Sequence, residues 1–137
     1  MNKKSLLIIC TIAFILNISR EFAHHFLYID LSGIPIYFHL FIASLVDTFI
    51  IISIFLLISL KNKTLNWLIN PTKIDYILII IISILIAILI ESTNLRLGRW
   101  QYTSFMPTIF GIGISPLFQL AVTGVISLVI GKYLKKS

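Results

Sequence analysis

The chain has 137 residues, of which 58% are hydrophobic and 12% charged, with a mean hydropathy of +1.04. Soluble domains average about 25% charged residues, and a chain this short builds no core large enough to hide so much apolar surface, so a cytosolic enzyme, a disordered tail and a nucleic-acid-binding protein are excluded. The net charge of +6 sits on residues flanking hydrophobic runs, and the single Cys10 leaves no intramolecular disulfide or cysteine-ligated cluster. Such a composition belongs to an integral membrane protein.

The first apolar run is Leu6 to Ile18. Lys3 and Lys4 precede it as in a secretory signal, but no small-x-small cleavage site follows. Ser19, Arg20, Glu21, Phe22, Ala23, His24 and His25 instead continue a retained helix over about residues 5–28. The second run, Tyr37 to Leu60, is long enough to cross a hydrocarbon core of ~30 Å and defines a helix over 37–60 that ends at Lys61-Asn62-Lys63. Tyr76 to Ile90 is introduced by Pro71, Thr72 and Asp75. Thr72 can cap the free amides and Asp75 falls three residues later, as in a capping box, which predicts a helix over 74–95. The last apolar stretch is interrupted by Pro107, Gly111, Gly113 and Pro116. With Ser115 as N-cap and Pro116 at the first helical position, the fourth helix runs over 115–134. Met106 to Ile114 then forms a short segment that must pack on protein or line a wet cavity. The expected fold is all-α: one transmembrane domain over 1–137, a polytopic membrane four-helix bundle with a re-entrant or interfacial segment before the last helix.

Basic residues are retained on the cytoplasmic side. This places Lys3, Lys4, Lys61, Lys63, Lys73, Lys132, Lys135 and Lys136 inside, with both termini cytoplasmic in the cell (inner) membrane, and only Arg20, Arg96 and Arg99 outside. The division of lysine from arginine needs a second cause, because the rule treats the two alike. Arginine suits partly buried, bidentate pairing with carboxylate or phosphate, whereas lysine is a hydrated point charge.

Asn17, Glu21, His24 and Tyr28 follow a 4, 3, 4 spacing and share one stripe of the first helix. The bland alternative is a helix end emerging into water. However, Leu6 to Ile18 falls well short of the ~20 residues a span requires, so this polar turn lies at membrane depth. In the second helix His39 lies near the outer end and Asp47 some ~15 Å deeper, where an aspartate costs roughly 2.5–3.5 kcal/mol to insert. A hydrogen bond to Asn17 is the structural alternative to a functional role. Ser83, Ala87, Glu91 and Asn94 form one face of the third helix, and Gln119, Thr123 and Ser127 one face of the fourth, where Gly124, Ser127 and Gly131 make a small-residue seam.

Three chemistries use such a set. A metal site would draw nitrogen and oxygen ligands from Glu21, His24, His25, His39, Asp47 and Glu91, but no second Glu-x-x-His and no His-x-x-x-His accompanies the first. No cofactor or metal is therefore expected. An ion path through an oligomer would use Asp47, and the apolar cytoplasmic half argues against an open pore. Acid-base chemistry on a lipid would assign Glu21 and Glu91 as acid or base and His24 and His39 as proton partners, as the catalytic set. Arg20, Asp47, Asn94, Arg96, Arg99, Trp100, Tyr102 and Gln119 would bind the ligand, with Arg96 and Arg99 as anion contacts and Trp100, Tyr102 and Phe105 at headgroup level.

Glu91-x-x-Asn94-x-x-x-Gly98-Arg99-Trp100-Gln101-Tyr102, followed by Gly111, Gly113 and Pro116 opening a helix, resembles the membrane-embedded lycopene cyclase domain and related carotenoid-pathway proteins over about Glu91 to Ser127. The resemblance implies a membrane-buried site for an isoprenoid. Where those cyclases carry a paired glutamate after the helix-opening proline, Leu117, Phe118 and Gln119 stand here. The whole chain is similar to small four-span proteins of prokaryotic membranes. The expected function is binding, and modification, of a lipid or isoprenoid-type amphiphile in an outer polar pocket. The alternative is a non-enzymatic transporter subunit or assembly partner in which carboxylates and arginines form buried ion pairs. Expected partners are membrane lipids and a second copy of the chain, with no nucleic acid.

Overall fold

The computed structural model describes residues 3–136, with side chains from Leu6 to Leu134. The charges of Lys3, Lys4, Lys135 and Lys136, which help set the expected orientation, lie outside the described side chains. Four helices make up the bundle: α1 (Lys3–His24), α2 (Ile36–Lys61), α3 (Lys73–Arg96) and α4 (Ile114–Lys136). All four carry segments long and apolar enough to cross a membrane, so the chain is a multi-pass membrane protein. Ile-rich stretches are indifferent helix formers in water. In oil every backbone N–H and C=O must be satisfied within its own segment, and the helix does this whatever the side-chain propensity.

α1 packs against α2 and α4, and α4 against α3; α2 and α3 meet much more sparingly. The apolar core fills one end of the bundle, where Ile9, Ile54, Phe55, Ile58, Trp67, Leu68, Ile79 and Leu128 are almost fully buried. Lys61 and Lys73 mark this end, and it is called the lysine end below. Here α2 and α3 are stapled. Asp75 accepts from Lys61 Nζ (2.7 Å) and Asn62 Nδ2 (2.9 Å) through one oxygen and from the Thr72 amide and hydroxyl (both 2.8 Å) through the other. The predicted capping box of Thr72 and Asp75 is formed in full. Small residues bring α1 and α4 together: a Cβ added to Gly131 would lie 2.6 Å from Ile9 Cγ1, whereas one on Gly124 would meet only ordinary contacts of 3.7 and 3.8 Å.

The opposite end departs from a purely helical fold. The predicted first helix, 5–28, stops at His24, tightens into a 3-10 turn over His25–Leu27 and becomes the strand β1 (Tyr28–Asp30). β1 pairs antiparallel with β2 (Trp100–Tyr102), Tyr28 opposite Tyr102 and Asp30 opposite Trp100. Leaving the helix here gives the backbone of residues 28–30 the partner strand that solvent or lipid would otherwise have to replace. The segment expected to be irregular, Met106 to Ile114, is a hairpin of β3 (Thr108–Ile109) and β4 (Ile112–Gly113). Its two-residue turn, Phe110-Gly111, has both φ angles positive, at 50° and 80°, the requirement of a type I′ turn. α4 begins at Ile114 rather than after a Ser115 cap. Pro116 lies in its first turn, where a missing N–H leaves no hydrogen bond broken.

Two outcomes follow. Asp75→Ala removes the cap and the α2–α3 staple together and should cost roughly 2–3 kcal/mol, read as a lower thermal unfolding midpoint in detergent. Gly131→Ala should lower that midpoint clearly while Gly124→Ala leaves it nearly unchanged; equal effects would contradict the close α1–α4 approach.

Candidate functional site

Between the β1–β2 pair and the apolar core lies a cavity of about 330 Å³. α1 contributes Glu21 and His24 to its wall, α2 His39 and Asp47, α3 Glu91 and Asn94, α4 Gln119, and β2 Trp100. These are eight of the twelve residues expected from sequence to form a site. Apolar side chains, among them Leu40, Ile42, Val46, Ile90 and Leu120, complete it. Residues from all four helices converge because the helical 3- and 4-residue spacings put them on interior faces, and ionised groups cannot face lipid cheaply.

The polar groups are connected. Gln119 Nε2 donates to Glu21 Oε1 at 2.6 Å and to Asp47 Oδ2 at 3.1 Å, so one amide on α4 bridges carboxylates of α1 and α2. Glu91 accepts from the Tyr102 hydroxyl at 2.5 Å, and that hydroxyl accepts from the Gly113 amide at 3.0 Å. Tyr102 thereby links α3 to both the β2 strand and the β3–β4 hairpin. The Tyr28 hydroxyl and the Trp100 indole N–H lie beside Glu91, but the indole N–H is buried without a hydrogen bond of good geometry. Burial and the Glu91 hydrogen bond push the Tyr102 hydroxyl well above its ordinary range, so it stays protonated and donates. Asn17 does not bond Asp47. Its amide donates to Thr48 at 3.4 Å, and its oxygen is buried without a partner.

Asp30, which sequence analysis passed over, is part of the site. Its carboxylate is paired with Nδ1 of His39 and accepts from the Ser32 amide at 2.8 Å. This fixes the ring, and among the described residues Nε2 of His39 has no hydrogen-bond partner. Burial alone would raise the Asp30 carboxyl, but the hydrogen bonds from Ser32 and His39 outweigh it and hold the group below its usual 3.8. The sequence signal was the Asp30-Leu31-Ser32-Gly33 stretch, an aspartate-led turn, but nothing local ties it to His39.

The arginines and Tyr102 stand apart from the wall. Arg20 reaches the start of α4 and donates to the Ser115 carbonyl (3.1 Å) and hydroxyl (3.2 Å). Arg99 donates to Asn94 Oδ1 at 3.1 Å, and Arg96 is exposed. Among the described residues no arginine forms an ion pair with a carboxylate. His24 is buried with Nδ1 on the Arg20 carbonyl, and His25 is exposed. Phe105 is exposed, whereas Trp100 and Tyr102 turn inward. Among the described residues no three of His, Cys, Asp and Glu are grouped to hold a metal ion. Comparison with protein-family models, with curated proteins and with solved structures finds no match.

Two outcomes test this geometry. Gln119→Leu removes donors from two carboxylates and should cost about 1.5–3 kcal/mol; Gln119→Glu adds a third acidic group at the same point and should lower the unfolding midpoint further. Because the folded Asp30 carboxyl titrates below its unfolded value of 3.8, its contribution to stability is present above that value and is lost as pH falls through the lower folded one. Acid unfolding followed by circular dichroism should therefore show a shallower loss below about pH 4 in Asp30→Asn than in the parent.

Proposed function

We propose that the protein is a four-span component of the cell (inner) membrane that binds a lipid or isoprenoid-type amphiphile in this cavity and acts on it by proton transfer. One observation carries the proposal: acid and base side chains share a cavity with apolar walls inside the membrane-crossing bundle, placed as an amphiphile's polar and apolar parts require. In this scheme Glu21 and Glu91 serve as acid or base. His39, oriented by Asp30, offers Nε2 as the proton partner, and His24 stands behind Glu21 on the same helical face. The resemblance of Glu91 to Ser127 to isoprenoid cyclases supports the same ligand class.

The way in supports an amphiphile as well. α2 and α3, stapled at the lysine end, meet sparingly, and at the cavity Ile42 and Val46 of α2 face Ile90 of α3. Val46 is 47% exposed and also lines the cavity, which supports an opening between α2 and α3 toward lipid. At the other end Ile51, Ile54 and Ile79 close the interior, which supports a binding pocket over a conduit. In this arrangement the lysine end faces the cytoplasm with both termini. The hairpin tip Phe110, fully exposed, and Phe105 lie at the opposite interface.

Mass spectrometry of protein extracted from its producing membranes should find a retained amphiphile, depleted when Val46→Trp fills the gap. Glu21→Gln and Glu91→Gln should leave folded yield within about twofold while changing the lipid or isoprenoid profile of the cells. Collapse of yield with an unchanged profile would instead assign the carboxylates to structure and favour the assembly-partner alternative. A reporter fused to the C-terminus should be active only in the cytoplasm.

A further inference from the structure

We propose that the amphiphile taken by this cavity carries a positively charged head group, a protonated or quaternary amine, seated among Glu21, Asp47 and Glu91. The inference rests on the reading of the cavity as an amphiphile site and names the class of ligand.

The lining of the cavity contains four carboxylates and neither lysine nor arginine. Arg20 and Arg99, the basic residues nearest in sequence to the site, are turned to Ser115 and Asn94. Asp30 is already matched by His39. Glu21, Asp47 and Glu91 are left, close enough that each acts electrostatically on the others. The donor shared by Glu21 and Asp47, Gln119, is a neutral amide that takes one oxygen of each, and among the described residues no protein donor reaches Oε2 of Glu21 or Oδ1 of Asp47. A phosphate or carboxylate head would meet acceptor oxygens here, and like charge wherever one of these carboxyls is ionised. An alcohol can donate to one such oxygen but brings no charge to a carboxyl that ionises. An ammonium group balances the charge of an ionised carboxyl and sits between these oxygens.

A second, independent feature points to the same chemistry. Tyr28 and Trp100 both line the cavity beside Glu91, with ring centroids 6.0 Å apart and planes at 90°. Two aromatic rings at right angles, with a carboxylate at their side, present the surface that recognises alkylated ammonium through its cation–π attraction. The volume admits a head group and the first part of a chain, and the gap between α2 and α3 lets the remainder lie in the bilayer.

Trp100 also reports on occupancy, because Trp67, the other tryptophan, is buried in the core at the far end. Full-length protein in a neutral maltoside detergent is titrated with an alkyl trimethylammonium, a primary alcohol and an alkyl phosphate of one chain length. The binding signal is the fluorescence change that is absent in Trp100→Phe. The ammonium compound should bind at least about tenfold more tightly than the other two, and Glu21→Gln combined with Asp47→Asn should abolish that preference. The ranking on the unaltered protein stands without the variant should the latter not fold. Equal or tighter binding of the alcohol or the phosphate would overturn the cationic head group and leave the amphiphile site intact. No Trp100-dependent binding of any of the three would overturn the amphiphile site itself.

Discussion

Three carboxylates from three helices share one interior space in a bundle whose outer surface is lipid-compatible. Charge in such a place is tolerated only if donors are brought to it, and the surrounding structure supplies them. Gln119 on α4 reaches Glu21 and Asp47 at once, and Tyr102 reaches Glu91 from the strand beyond α3. The short strand pair over the cavity then has a clear physical role. It positions Tyr102 inward, holds Trp100 at the cavity wall and fixes Asp30 where His39 can meet it.

The two ends of the bundle differ in packing: one holds the continuous apolar core, the other the cavity. At the lysine end a continuous apolar core, a filled capping box and the Asp75 staple hold α2 to α3. At the cavity end the same two helices are separated, and contact between α1 and α4 is made instead through Arg20 and Ser115. A cavity can therefore exist within the bundle, because the continuous apolar core lies at the far end and hydrogen bonds tie the helices together around the cavity. Such a division places the less densely packed region around the cavity.

Much of this was legible in the chain because membrane insertion makes local signals strong. The long apolar runs predict four helices whose observed limits differ from expectation by one to four residues, the largest shift being the early end of α1 at His24. Thr72 and Asp75 announce their capping box three residues apart. The cost of a charge in oil turns Glu21, Asp47 and Glu91 inward before any coordinates are known. What escaped detection is non-local. Tyr28–Asp30 and Trp100–Tyr102 are three-residue strands whose only reason to be strands is each other, so no periodicity marks either. Asp30 joins the site through that pairing. The aptitude of arginine for anions points the arginines at the carboxylates, yet a long side chain goes where an acceptor is nearest, which is Ser115 for Arg20 and the amide oxygen of the wall residue Asn94 for Arg99.

Gln119 is the residue at which sequence resemblance and geometry bear on one another. In the cyclase-like pattern an acid follows the helix-opening proline, and here Gln119 stands in that region. Its amide nitrogen lies within hydrogen-bond reach of two carboxylates from two other helices. A carboxylate in its place would turn a donor shared by two acceptors into a third acceptor and leave Glu21 and Asp47 without a protein donor. Glu21, Asp47 and Glu91 are thus carried by α1, α2 and α3, and α4 supplies the neutral amide that bridges the first two. Gln119 is therefore the position where this chain departs from that pattern and also the donor that lets Glu21 and Asp47 stand close together.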